Sequence, residues 1–302
     1  MNEMRFDGRV AVITGAGRGL GRSHALLLAS RGAKVIVNDV GGPMRGDGED
    51  DGVAQAVAAE IRAAGGEAIA NTDSVATPEG GAAIIQAALD EWGRIDILIH
   101  SAGNVRYGSI REVSYEDFKS VIDVHMMGAF HVVQPAFRLM CDAGYGRIVL
   151  TSSVGGIYGN YDCVNYGMAK TGMIGLSNIT ALEGEEFGVK SNILVPGAVT
   201  RMAEGLDISQ YPPMEPELVS PVVGWLAHED CPVTGEMLAG IGGRFARMFV
   251  AETRGVYQPS WTIEDVAHAN AAIHDKTEFL DLGLQGHVNH IAYSFEMARE
   301  GG

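Results

Sequence analysis

Arg9-Val-Ala-Val-Ile-Thr-Gly-Ala-Gly-Arg-Gly-Leu-Gly21 decides how the rest of the chain is read. Residues 9–14 are a compact apolar run with β-branched members, suited to a buried strand, and they lead straight into a cluster of glycines. A helical run from Arg22 to Arg31 follows, and Ala33-Lys-Val-Ile-Val-Asn-Asp39 reads as a second strand. Residues 9–39 thus make one βαβ unit with glycines at its first turn, which predicts an α/β fold built on a doubly wound parallel sheet. Glycines at that turn let backbone amides approach a pyrophosphate, and the helix N-terminus offers it partial positive charge. Asp39, twenty residues after Gly19, stands where a carboxylate accepts hydrogen bonds from an adenosine ribose. The same carboxylate repels a 2′-phosphate, which favours NAD over NADP, although Arg18 is placed to reach such a phosphate.

A second stretch carries the chemistry: Thr151-Ser-Ser-Val-Gly-Gly-Ile-Tyr-Gly-Asn-Tyr-Asp-Cys-Val-Asn-Tyr-Gly-Met-Ala-Lys170. Arg147 to Thr151 is another buried-strand run, so Ser152 and Ser153 fall at a carboxyl end, where open α/β sheets collect ligands. Tyr166 and Lys170 are four apart and share one face of a helix. An ammonium beside a phenol favours the phenolate and brings an acid of pKa about 10 closer to neutral working range. Taken alone, Tyr-x-x-x-Lys is equally an ordinary solvated i,i+4 pair.

The 302 residues, 46% of them hydrophobic and 20% charged, suffice for one large domain or one domain with an appendage. A net charge of -16 disfavours nucleic acid and anionic membrane surfaces as partners. Cys141, Cys163 and Cys231 are few, odd in number and without metal-type spacing, which fits a reducing compartment and no disulfide framework. The N-terminus has no basic segment followed by an apolar core, and no apolar run approaches the ~20 residues of a membrane span, so the expectation is a cytoplasmic protein. No metal is expected: the acidic loop Pro43 to Gly52 lacks EF-hand spacing, and His287 and His290 have no third ligand nearby.

Thr14-Gly-Ala-Gly-Arg-Gly-Leu-Gly21, together with Tyr166-x-x-x-Lys170 and Ser153 thirteen residues before the tyrosine, resembles the short-chain dehydrogenase/reductase family over residues 9 to about 243. The resemblance implies a Rossmann-like fold and a nicotinamide cofactor held by Gly15, Arg18, Gly19, Leu20, Gly21 and Asp39. Asp73 and Ser74 resemble the adenine contact, and His100-Ser101-Ala102-Gly103 the family's Asn-Asn-Ala-Gly segment with both asparagines replaced. Pro196, Gly197, Val199 and Thr200 resemble the stretch that closes over the nicotinamide carboxamide, while Tyr166 and Lys170 serve both cofactor and chemistry. In the implied mechanism Ser153 bonds the substrate oxygen, Tyr166 moves the hydroxyl proton, and Lys170 tunes the phenol. His125, in an expected helix from Tyr115 to Val132, takes the place of a family asparagine and is a candidate catalytic residue.

Asn38-Asp-Val-Gly-Gly42, His125, the segment Ser153 to Asn165 and Thr262 to Asn270 are similar to the (3R)-hydroxyacyl-CoA and 17β-hydroxysteroid dehydrogenase subgroup. That similarity implies a 3-hydroxyacyl-CoA substrate, a homodimer or homotetramer, and a C-terminal extension over 244–302 at a subunit interface, following a catalytic domain over 1–243. A hydroxysteroid or terpenoid alcohol is the alternative substrate, and a dinucleotide-binding scaffold without catalysis is a third reading. Arg201 to Pro221 is expected to be an irregular lid.

Overall fold

The computed structural model describes residues 3–42, 45, 52–199 and 212–301, and it divides into two compact units, Met1–Arg247 and Met248–Gly302. The first unit alternates strands β1 (Val10–Thr14), β2 (Lys34–Asn38), β3 (Glu67–Asn71), β4 (Ile97–His100), β5 (Gly146–Thr151), β6 (Val189–Gly197) and β7 (Met237–Ile241) with helices. Those helices are α1 (Gly19–Ser30), α2 (Gly52–Ala63), α3 (Pro78–Trp92), α4 (Tyr115–Ile122), α5 (Gly128–Ala143), α6 (Val154–Ile157), α7 (Val164–Gly184) and α8 (Ser220–Ala227). A last strand, β8 (Arg244–Met248), returns after Gly242-Gly243 and extends the first unit past Gly243, where the sequence had placed its end.

The sheet order is β3-β2-β1-β4-β5-β6-β7-β8, and β1 to β7 pair in parallel. Chain direction across the sheet reverses between β1 and β4, which opens a crevice at their carboxyl ends. Alternate residues of the strands feed two apolar layers. Ala11, Ile13, Val35, Val37, Ile97 and Ile99 join Leu28 of α1, Ile61 of α2 and Val223 of α8 in one cluster. Val12, Ile36, Leu98, Ile148 and Leu150, all fully buried, supply the other face, against which α3, α5 and α7 pack. Each such side chain stabilises the fold by roughly 1.5–3 kcal/mol relative to exposure.

Two expected elements differ. The helix expected over Tyr115 to Val132 is α4, a π-helical turn at Asp123–Met127, and α5, which continues to Ala143. Pro135 removes a helical N–H, but the buried face Val132, Val133, Ala136 and Met140 carries the helix past it. Of the expected lid, residues 201–211 lie outside the described residues; Pro216–Leu218 is a 3₁₀ turn and Pro221 sits in the first turn of α8. Most of the acidic loop at 43–51 also lies outside the described residues.

The second unit holds strands β9 (Glu252–Thr253) and β10 (Phe279–Leu280), paired antiparallel, with α9 (Ile263–Ile273) and α10 (Gly286–Glu300). Thr262 and Asp265 close a capping box at the start of α9. His290, on α10 with His287, bonds Glu252 at 2.9 Å. None of this unit's described residues is buried. No helix of the described residues is long and apolar enough to cross a membrane. The three cysteines are free, and burial raises each thiol above its ordinary range, so they are poor nucleophiles.

Candidate active site

A cleft of about 740 Å³ opens at the carboxyl ends of the central strands. Gly15, Arg18, Gly19, Leu20 and Gly21 line it from the first turn, Asp39 from the end of β2, and Asp73 and Ser74 from beyond β3. Ser101, Ala102 and Gly103 line it after β4, and Pro196, Gly197 and Val199 at the end of β6. Thr200 lies outside the described residues.

The first turn fits a pyrophosphate on two observations. Helix α1 starts at Arg18 without a side-chain cap and without an acidic residue in its first turn, so its leading N–H groups are left for an anion. A Cβ at Gly21 would overlap the Gly15 carbonyl, and Gly15 itself has φ +65°, so the turn lies flat against the helix only with glycine at both positions. Asp39 binds the same turn: its Oδ2 accepts from Gly17 N at 2.9 Å and its Oδ1 from Gly41 N at 2.7 Å. Arg18 donates to the Gly41 and Gly42 carbonyls at 3.4 Å.

Ser153, Tyr166, Lys170 and His125 line the same cleft. Ser153 follows β5 and caps α6, its Oγ accepting from Gly155 N at 3.1 Å, which leaves the hydroxyl proton to be donated into the cleft. Lys170 is buried on α7, and its Nζ donates to the Thr151 carbonyl at 2.6 Å. Ser152 secures the same turn of α7 by donating to the Lys170 carbonyl at 2.8 Å. Desolvation lowers the Lys170 ammonium to about 7. The Tyr166 phenol does not show the expected lowering. Burial raises it above its ordinary value, and only the Ser153 hydroxyl beside it works the other way. The reason is geometric: Lys170 Nζ lies 5.6 Å from the Tyr166 ring centroid and itself pays for leaving water.

His125 sits in the π-helical turn and packs edge-on to Tyr166, ring centroids 5.2 Å apart at 84°. Its Nε2 is 2.7 Å from the Asn104 carbonyl and 3.1 Å from the Asn104 amide; the closer carbonyl assigns the proton to Nε2 and leaves Nδ1 a bare acceptor. Burial holds this imidazole well below its ordinary pKa, so it is neutral. His100 is buried and neutral too, lowered to about 3 by desolvation. Thr14 Oγ1 accepts from the Ser101 and Ala102 amides at 3.2 Å, so its own proton goes to His100 Nδ1 at 2.9 Å. A histidine thereby fastens the first glycine turn to the end of β4.

Two contributors were missed in the sequence. Asn104 anchors His125 through its backbone and donates from Nδ2 to Ser120 Oγ at 3.1 Å. Asn165, fully buried one residue before Tyr166, donates to the Arg106 carbonyl at 2.9 Å and the Asp117 carbonyl at 3.2 Å. Both join segments far apart in sequence, and the only local signal was a polar residue beside a motif.

A family model described as short chain dehydrogenase matches residues 9–208. The chain is 43% identical over 308 residues to the peroxisomal multifunctional enzyme type 2 of Drosophila melanogaster, covering 99% of this chain and 51% of that protein. It therefore spans about half the length of that relative. A protein of Mycobacterium tuberculosis named as a short-chain type dehydrogenase/reductase is 41% identical, with 88% of this chain and 94% of that one covered. Among solved structures, a short chain dehydrogenase from Mycobacterium avium superposes with a TM-score of 0.75 at 37% identity, covering 88% of this chain and 94% of that one.

Proposed function

The chain belongs to the short-chain dehydrogenase family, a family of nicotinamide-dependent oxidoreductases, and from that premise we propose that it is an NAD-dependent dehydrogenase of 3-hydroxyacyl-CoA thioesters. The observation that carries this reading is the convergence of Ser153, Tyr166 and Lys170 in the cleft that also holds the glycine turn and Asp39. When bound, the nicotinamide supplies the hydride acceptor for oxidation and the donor for reduction.

Ser153 donates its free hydroxyl proton to the substrate oxygen and fixes the carbinol. Tyr166 takes the hydroxyl proton in oxidation and returns it in reduction. Lys170 places positive charge near the phenol while it is protonated, up to a pH of about 7, and it contacts the nicotinamide ribose. His125 holds the Tyr166 ring from the side and stays uncharged. The Asp39 carboxylate supports NAD rather than NADP, because a 2′-phosphate there meets like charge. The thioester is supported by the subgroup motifs at Asn38 to Gly42, His125 and Thr262 to Asn270. Homodimer or homotetramer assembly belongs to the proposal, supported by Phe130, Met168 and Ile179, which α5 and α7 leave exposed. Residence in a reducing compartment such as the cytoplasm is supported by the free thiols.

A free hydroxysteroid or alicyclic alcohol is the second reading, favoured by one observation: Arg106, a cation placed to meet CoA phosphates, is bound to Asp117 at 2.9 Å. The test is NADH formation with a (3R)-hydroxyacyl-CoA, run beside the (3S) isomer, NADP⁺ and a 17β-hydroxysteroid. Turnover of a hydroxyacyl thioester with NAD⁺ is expected. Turnover of the steroid alone moves the substrate to the second reading, and silence on every alcohol contradicts both.

A further inference from the structure

Beside the main cleft lies a second cavity of about 350 Å³ that shares Ser153 and Tyr166 with it. Val105, Tyr107, Val154, Tyr158 and Cys163 line it, and no charged residue does. Tyr107 and Tyr158 are 62% and 77% exposed, so the aromatic rim stands ready for an apolar occupant. No residue of the glycine turn lines this cavity. Lined by apolar and aromatic residues and by no cation, it suits the apolar group on the substrate's carbinol carbon.

Gly155, in helix α6, also lines it. The fold does not require glycine there. Gly155 has no positive φ, and the nearest atoms to an added Cβ are Ser153 Oγ at 3.6 Å, Tyr166 Cε1 at 3.8 Å and Asn160 Cβ at 3.9 Å, all at ordinary contact distance. A helical glycine costs about 1 kcal/mol relative to alanine. The neighbouring Gly156 is the opposite case: its Cβ would come within 2.7 Å of Lys170 Cβ, so it is needed for α6 to pack on α7. What a methyl at 155 takes away is space next to the serine hydroxyl and the tyrosine ring.

We propose that Gly155 sets the size of the substrate, its missing side chain admitting a bulky apolar group, such as a ring or a branched chain, beside the reacting carbon in the aromatic-rimmed cavity. This rests on the dehydrogenase reading above and adds to it the part of the substrate that the chain selects. The main cleft is not lined by Gly155, so dinucleotide binding is independent of it.

The experiment measures kcat/KM in Gly155→Ala and Gly155→Val for two substrate pairs that differ only in the group on the carbinol carbon. One pair is 3-hydroxybutanoyl-CoA and 3-hydroxy-3-phenylpropanoyl-CoA; the other is propan-2-ol and 1-phenylethanol. In whichever pair the wild type accepts, the phenyl-to-methyl ratio of kcat/KM is expected to fall by about tenfold or more in the alanine variant and further in the valine variant. NAD⁺ affinity by calorimetry is expected to stay at the wild-type value. Ratios within about threefold of wild type in both variants would overturn the inference. Silence of the wild type on every alcohol overturns the dehydrogenase reading instead.

Discussion

Lys170 is the residue with the sharpest electrostatic signature. Its ammonium is buried with the Thr151 carbonyl as its hydrogen-bond partner, and desolvation lowers its pKa to about 7 from a value near 10.4 in an unfolded chain. Between those values the unfolded chain binds the proton that the folded chain gives up, so stability rises with pH. Below about 7 both states are protonated and the cost of burying the charge is fully present; it fades as pH rises toward the unfolded value. Wild type should therefore gain about 2 kcal/mol on Lys170→Met between pH 7 and pH 9, read from urea unfolding of both proteins. A gap that stays constant with pH would contradict the burial of a titrating ammonium. At this scale the sequence was legible where spacing is local: Ser153, Tyr166 and Lys170 were found because strand end and helix turn fix their separation. It was not legible where burial decides, since nothing in Tyr-x-x-x-Lys says that the phenol is raised rather than lowered.

Helix α7 carries both Tyr166 and Lys170, and its first turn is set by Asn165. That side chain ties α7 to the carbonyls of Arg106 and Asp117, while its Oδ1 accepts from the Tyr166 amide at 2.8 Å. Asn165→Ala leaves two partly buried carbonyls short of a donor and should cost about 2 kcal/mol, or roughly 4–8 °C in Tm. Turnover should fall with it while NAD⁺ affinity changes little, because the glycine turn is untouched. Wild-type stability in the alanine variant, by thermal unfolding, would show that α7 is held in place by other contacts. The βαβ elements were legible because apolar period and glycine punctuation agree. The π-helical turn at Asp123–Met127 was not, because one added residue leaves the apolar pattern of a single helix almost intact. Helix α5 runs past the expected Val132 to Ala143 because packing of its buried face carries it through Pro135.

At the scale of the whole molecule, the sheet order β3-β2-β1-β4-β5-β6-β7-β8 gathers distant segments at one end of the strands. Residues from Gly15 to Val199 meet there in a single cleft, which opens where the strand order turns back between β1 and β4. This much followed from reading one βαβ unit and extending it. The second cavity did not, since its walls come from the segment after β4, from α6 and from the start of α7, whose approach no periodicity records. The central claim is that one cleft both binds the dinucleotide and moves the proton, with the two tasks on separable atoms. Tyr166→Phe tests it directly, keeping the ring that packs on His125 and removing only the phenolic hydroxyl. NAD⁺ affinity is predicted to remain near wild type while kcat falls by a factor on the order of hundreds or more. A kcat within about tenfold of wild type would contradict the account.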